Sequence, residues 1–290
     1  MSPILNTAYY LTLSCKDQPG IVAAVTTTLY EAGANIIEAQ QFDDVEQGVF
    51  FMRVEFTMQA EKPSLELLEE RLLPVKSKFN MQSTLRQKMH RRRVLIMVSK
   101  LDHCLVDLLY RNSIGELPMD VVAVVSNHPR DTIDTGMLGD IPFHHLPITE
   151  AGKLKQEALL KQVIDESDAE LVILARYMQI LSAEMTAFLE GRCINIHHSF
   201  LPGFKGGRPY HQAYARGVKM IGATAHYVNS DLDEGPIIVQ DVETVSHRDT
   251  PRSLERKGRD IERRVLARAV HYHLEDRVLL NNNKTVVFKD

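Results

Sequence analysis

The sequence predicts an α/β protein of two domains. Three observations carry that reading. The chain has 290 residues, more than one ordinary domain. Residues 1–87 follow the order β-α-β-β-α-β, which is ferredoxin-like. Residues 88–290 alternate short, nearly continuous apolar runs with helical stretches, the pattern of an open, mostly parallel sheet.

In the first domain, Tyr9 to Cys15 alternates like a strand. Lys16-Asp17-Gln18-Pro19-Gly20 is a turn that can cap a helix. Ile21, Val22, Val25 and Leu29 form a helical stripe over 21–31, and Gly33 ends it as a C′ residue. Asn35 to Phe42 reads as the second strand and Val49 to Met58 as the third. In the third, Phe51, Arg53, Glu55 and Thr57 alternate against Phe50, Met52, Val54 and Phe56. Ser64 to Phe79 reads as a helix broken or ended near Pro74, and Met81 to Leu85 as the fourth strand.

Arg86 to Arg93 reads as a charged linker. Val94 to Val98 then opens the second domain as a buried parallel strand. The loop Ser99-Lys100-Leu101-Asp102-His103-Cys104 follows, with a helix over 104–111. Strands are expected at 120–127, 143–147 (a short edge strand), 171–174, 193–197, 222–228 and 237–242, with a last one at 285–288. Helices are expected at 154–167, 183–189, 209–217 and from Pro251 to about Leu274. Gly206-Gly207 reads as a close approach to a ligand or as a lid. No Gly-x-Gly-x-x-Gly follows a strand, so a dinucleotide fingerprint is missing.

Composition narrows the function classes. Apolar residues make up 44% and charged residues 25%, which is ordinary for a soluble globular protein. A net charge of −4 gives no support for nucleic-acid binding, and the short basic patch His90-Arg91-Arg92-Arg93 sits at the domain junction. Cys15, Cys104 and Cys193 are odd in number and widely spaced, which suits reduced thiols in the cytoplasm. No apolar run is long enough to span a bilayer, and Met1 to Asn6 shows no leader pattern, so no membrane partner is expected.

The chemistry concentrates at Cys193-Ile194-Asn195-Ile196-His197-His198, an apolar run that ends in polar residues and then Pro202-Gly203. Ligands of open α/β sheets bind beyond the carboxyl ends of strands. Asn195 and His197 are two apart and share one face. Asp233 lies between two strand-like runs and reaches His197 if those strands neighbour the first. An amide for an oxyanion, an imidazole for protons and a carboxylate to orient it suit attack on a carbonyl by an outside nucleophile. His197, His198, His211 and Asp233 are also metal-ligand types. However, adjacent His residues point to opposite strand faces, no paired-Cys or His-x-x-x-His motif supports an ion, and none is expected.

Asn195-Ile196-His197, Ser199-x-Leu201-Pro202 and Leu232-Asp233-x-Gly235-Pro236, in that order, resemble the formyltransferase family that uses 10-formyltetrahydrofolate. The resemblance covers roughly the last 200 residues, the length of one ordinary domain. It implies a Rossmann-like formyltransferase fold with Asn195, His197 and Asp233 as catalytic residues. It also implies a pterin pocket lined by Met178, Gln179, Ile180 and Leu181, with His226 and Asn229 in substrate binding. Read alone, Met178, Ile180 and Leu181 are equally core residues, and His226 a structural histidine. One departure stands out: the family often carries Pro after the His, where this chain has His198.

Relatives that formylate a phosphorylated glycinamide carry a Gly-rich loop after the domain's first strand, whose N–H groups cradle phosphate. Loop 99–104 has no glycine. Water is then the natural nucleophile, and the resemblance implies hydrolysis of 10-formyltetrahydrofolate to formate and tetrahydrofolate, feeding formate to purine synthesis. The folate is the substrate, and no metal or redox cofactor is expected. Two alternatives keep the same residues: formyl transfer to an amine, and a non-catalytic folate-binding protein that responds to amino acids.

Asp17-x-Pro19-Gly20-Ile21-Val22 and Gly33-Ala34-Asn35-Ile36 resemble the ACT domain, an amino-acid-sensing module. The resemblance implies an effector site at Asp17, Gly20, Asn35 and Ile36, and a homo-oligomer through paired domains. Exposed N–H groups at a helix start suit a carboxylate; read alone, Asp17 is a helix cap and Gly20 a turn former.

Overall fold

The structure, a computed structural model, describes residues 7–58, 65–133, 136–148, 152–203 and 209–289. The chain divides into two compact units. The first runs to Arg91 and adds Glu275–Leu279 and Val286–Asp290; the second takes Arg92–Leu274 and Leu280–Thr285. The expected split at residues 87 and 88 therefore leaves out two tail segments that side with the first unit.

The first unit contains β1 (Thr7–Lys16), α1 (Ile21–Glu31), β2 (Ala34–Asp44), β3 (Val49–Met58), α2 (Leu65–Phe79) and β4 (Gln82–Gln87). Its strands form one antiparallel sheet in the order β2-β3-β1-β4. Ile21, Val25 and Leu29 of α1 and Leu68, Leu72 and Phe79 of α2 bury one core with the inward residues of β1 and β3. That shared stripe explains why α2 runs straight through Pro74, where the sequence suggested a break. Packing on both sides of the proline outweighs one missing N–H.

The tail joins this unit through charge. Arg53, on the other face of β3, is fully buried. It stacks on Tyr10 at 4.5 Å, pairs with Glu38 at 2.7 Å and donates to the Glu275 carbonyl at 3.0 Å. Arg86 pairs with Asp276 at 2.7 Å.

The second unit begins with β5 (Arg92–Val98), so Arg92 and Arg93 are strand residues, as Arg86 and Gln87 are in β4. The expected linker shrinks to 88–91 because ladder pairing extends both strands. Then come α3 (His103–Ser113), β6 (Met119–Ser126), β7 (Phe143–His145), α4 (Lys153–Glu166), β8 (Leu171–Leu174), α5 (Ala183–Phe188) and β9 (Cys193–His197). They are followed by α6 (Pro209–Arg216), β10 (Met220–Tyr227), β11 (Ile237–Thr244) and α7 (Pro251–Leu274). The tail forms a hairpin of β12 (Val278–Asn281) and β13 (Lys284–Val287), two strands where the sequence suggested one.

The seven-stranded sheet has the order β11-β10-β9-β8-β5-β6-β7. Neighbours from β9 to β7 are parallel; β10 is antiparallel to both β9 and β11. The chain starts at β5, winds out to β7, and returns to β8 on the other side. The strand order therefore reverses between β5 and β8, and the crevice at such a switch point is where open α/β sheets admit ligands. Leu95, Met97, Val125 and Val172 pack with Leu160 and Ile164 of α4 on one face. α7 covers β9, β10 and β11 on the other. Because both faces are covered, β5 reads as an unbroken apolar run.

All three cysteines are free and buried. No helix among the described residues is long and apolar enough to cross a membrane. Gly206 and Gly207 lie outside the described residues.

Candidate active site

Strand pairing assembles the centre. β10 pairs antiparallel with β9 and sets His226 opposite Asn195 and Thr224 opposite His197. The Asn195 amide nitrogen lies 3.2 Å from His226 Nε2. His226 Nδ1 lies 2.8 Å from the Tyr227 carbonyl, which only accepts, so Nδ1 carries the proton and Nε2 accepts from Asn195.

Asp233 arrives on the loop between β10 and β11. Its Oδ1 is 3.2 Å from His197 Nδ1 and 3.9 Å from His226 Nε2. It adopts φ 57°, a left-handed conformation that Asp tolerates better than most residues. Asn229 holds the start of this loop by accepting from the Asp231 N–H at 3.1 Å. Gly235 holds its end: a Cβ there would lie 1.7 Å from the Tyr227 carbonyl oxygen. The Tyr227 N–H in turn donates to the Pro236 carbonyl at 2.9 Å. The Asp-x-Gly-Pro sequence is thus a clamp on the end of β10.

The three side chains face a cavity of about 300 Å³. Met178, Gln179, Ile180 and Leu181 line it, as do His226 and Asn229. Met178 is 52% exposed and Ile180 59%, so neither is a core residue. The loop that carries them is tied down from two sides. The Met178 N–H donates to Ser99 Oγ at 3.0 Å, beyond the end of β5. The Ser182 N–H donates to Glu157 of α4 at 2.8 Å, and Gln156 donates to the Tyr177 hydroxyl at 3.1 Å.

Electrostatics separate the acidic and basic groups. Burial raises the Asp233 pKa, but the hydrogen bond and charge of His197, helped by His226 and His198, hold it below the ordinary carboxylate value. Burial lowers His226, opposed in part by the Tyr227 carbonyl and Asp233. His198 is pushed down to about 3, first by burial and then by the nearby Arg176 charge. An ionised carboxylate and two neutral imidazoles therefore surround His197 at neutral pH.

The formyl transferase family pattern matches residues 92–270, and the ACT domain pattern matches residues 9–73. A formyltetrahydrofolate deformylase of Corynebacterium sp. (strain P-1) is 49% identical over 97% of this chain and 98% of its own. The crystal structure of formyltetrahydrofolate deformylase from Burkholderia mallei superposes with a TM-score of 0.92 at 51% identity, covering 98% of this chain and 100% of that one.

The chain belongs to the formyltetrahydrofolate deformylase family. A phosphoribosylglycinamide formyltransferase of Coxiella burnetii shares the fold of the second unit more distantly. It has a TM-score of 0.63 at 27% identity, over 68% of this chain and 94% of that one.

In this deformylase-family chain none of the four ACT residues is among those lining the cavity. Asp17 and Gly20 are exposed in the turn before α1, Asn35 is exposed on β2, and Ile36 packs half-buried against the core. The N-cap of α1 is Gly20, not Asp17, and Asp17 gives its own N–H to the Gly48 carbonyl. The metal alternative loses His211, which faces Glu255 at 3.9 Å and is not among the residues around the cavity.

Sequence reasoning missed Arg176 and Glu262. Both signals were readable. Arg176 ends the apolar run Leu171–Ala175, and Glu262 interrupts the stripe Leu254, Gly258, Ile261, Val265, Leu266 of α7. A charge placed on an apolar stripe is buried, and a buried charge must be paired.

Proposed function

We propose that this chain hydrolyses 10-formyltetrahydrofolate to formate and tetrahydrofolate, with Asn195, His197 and Asp233 as its catalytic residues. The observation that carries this reading is the 3.2 Å contact between His197 Nδ1 and Asp233, set beside Asn195 in one cavity. Contact with Asp233 puts the His197 proton on Nδ1. Its buried Nε2 has no hydrogen-bond partner among the described residues and faces the reaction with its lone pair.

Water adds to the formyl carbon as the Asp233–His197 pair takes its proton. The Asn195 N–H not bound to His226 holds the developing oxyanion. The C–N bond to the folate then breaks, and the proton passes to that nitrogen, with His197 as the shuttle. Formate leaves as the anion, and the second water proton is released to solvent. The pterin lies along Met178–Leu181, with Asn229 and His226 at the rim and floor. The scheme calls on no metal or redox cofactor.

The first unit is read as a sensor for a small carboxylate effector at Asp17, Gly20, Asn35 and Ile36, in a cytoplasmic homo-oligomer paired through that unit. Formate release from 10-formyltetrahydrofolate, without any amine present, tests the reaction. No release from folded protein rejects it. Repeating the assay with single amino acids tests the sensor, and a rate indifferent to all of them rejects it.

A further inference from the structure

Beside His198, four side chains from four places in the second unit converge. Glu262 of α7 is 1% exposed. One of its oxygens accepts from His103 Nε2, in the first turn of α3, at 2.8 Å and lies 3.3 Å from Arg176 Nε. The other accepts from the Tyr210 hydroxyl of α6 at 2.5 Å. Arg176 is 7% exposed, and its Nη1 has no hydrogen-bond partner among the described residues. The Tyr210 ring lies so close to α7 that a Cβ at Gly258 would come within 2.1 Å of it.

This cluster is not built for a cation. His103, Cys104 and Glu262 place ligand atoms within 4.8 Å of one another. The Arg176 guanidinium already occupies that neighbourhood, and burial together with the Glu262 charge raises the Cys104 pKa, so the thiol keeps its proton. His103 and Arg176 follow β5 and β8, the two strands that flank the switch point. That is where an open α/β sheet leaves a crevice for a ligand. Here Glu262, Arg176, Tyr210 and His103 occupy it, Glu262 and Arg176 buried. Arg176 and His198 also line the reaction cavity, so the filling is one of its walls.

We propose that the cluster of Glu262, Arg176, Tyr210 and His103 is a specificity plug: it fills the crevice beside His198 through which an amine acceptor would reach the formyl carbon, and leaves entry to water. This rests on the hydrolytic reading above. A protein of the same fold named for transfer to phosphoribosylglycinamide must, by that name, hold an amine beside the formyl donor. With an amine the balance differs only in the nucleophile. The amine nitrogen bonds the formyl carbon, the C–N bond to the folate breaks, and the amine proton ends on the folate nitrogen. Closing the amine's path therefore selects hydrolysis without any change in Asn195, His197 or Asp233.

The test is a partition measurement with glycinamide as the amine probe. Wild type, Tyr210→Ala and His103→Ala each receive 10-formyltetrahydrofolate and rising glycinamide, and N-formylglycinamide and formate are both quantified. Wild type should give formate alone. The variants should give N-formylglycinamide in proportion to glycinamide, with a partition ratio on the order of tenfold or more above wild type. A merely structural role would lower both products together and leave the ratio unmoved. The plug is overturned if wild type formylates glycinamide, or if folded, formate-releasing variants keep the wild-type ratio. Should Tyr210→Ala fail to fold, His103→Ala decides, because its side chain lies nearer the surface. A wild type that releases no formate at all would reject the hydrolytic reading instead.

Discussion

Asn195 donates to His226 Nε2 across 3.2 Å, from directly opposite it on the neighbouring strand. This bond fixes which end of the amide faces the cavity and leaves one N–H which, in the proposed reaction, holds the substrate oxygen. Asn195→Ala should lower kcat by on the order of a hundredfold or more with KM little changed. His226→Ala removes the orienting bond, worth about 1 kcal/mol, together with the bond to the Tyr227 carbonyl and the contact with Asp233, and should cost roughly fivefold or more. Steady-state kinetics on both variants check the ranking; equal losses would mean that His226 does more than orient.

Asp233 should be more sensitive to charge than to shape. Asp233→Asn keeps the volume and the loop but loses the carboxylate that faces His197. Turnover should fall by roughly a hundredfold or more, while the thermal midpoint stays close to wild type. A variant with near-normal kcat would remove Asp233 from the proton path.

The pH dependence of stability has a definite sign. His198 has a folded pKa of about 3 against an ordinary 6.5, so the unfolded chain binds the extra proton between those values. Its contribution is whole above pH 6.5 and is lost as pH falls toward 3, at a slope of up to about 1.4 kcal/mol per pH unit. The depressed Asp233 acts in the same direction at lower pH, below its ordinary value of 3.8. Denaturant melts at stepped pH values should show stability declining below 6.5, and His198→Asn should flatten that slope between pH 6 and 4. An unchanged slope would show that His198 is not the group responsible.

Gly235 has no room for a side chain. A methyl group there would meet the Tyr227 carbonyl oxygen at 1.7 Å, and backbone cannot turn aside as a flexible side chain does. Gly235→Ala should cost about 3 kcal/mol or more and displace Asp233. Urea unfolding measures the first effect and kcat the second.

The loop Met178–Leu181 hangs on α4 through Glu157 and Gln156. Glu157→Leu removes the acceptor for the Ser182 N–H, 2.8 Å away. The loop loosens while the reacting residues stay in place, so KM should rise several-fold with kcat nearly kept. A fall in kcat at constant KM would contradict this division of labour.

Much of this was legible in the chain because local rules carried it. Ile21–Glu31 and Val49–Met58 match the expected spans because period and turn signals agreed there. Asn195 and His197 were placed on one face by strand parity alone. What escaped depended on distant partners. Pro74 stays helical because Leu68, Leu72 and Phe79 pack on a shared core. Arg176 and Glu262 meet from positions 86 residues apart. Local pattern marks such charges as misplaced, and only the fold supplies what they face.

The C-terminal segment has a practical consequence for anyone dissecting the protein. Glu275 and Asp276 answer the charges of Arg53 and Arg86, nearly two hundred or more residues upstream. A fragment cut at Arg91 would carry the whole four-stranded sheet and the Arg53–Glu38 pair, yet leave the buried Arg53 guanidinium without the Glu275 carbonyl and Arg86 without Asp276. The first unit should therefore prove unstable when expressed alone, and recover when the last sixteen residues are supplied with it.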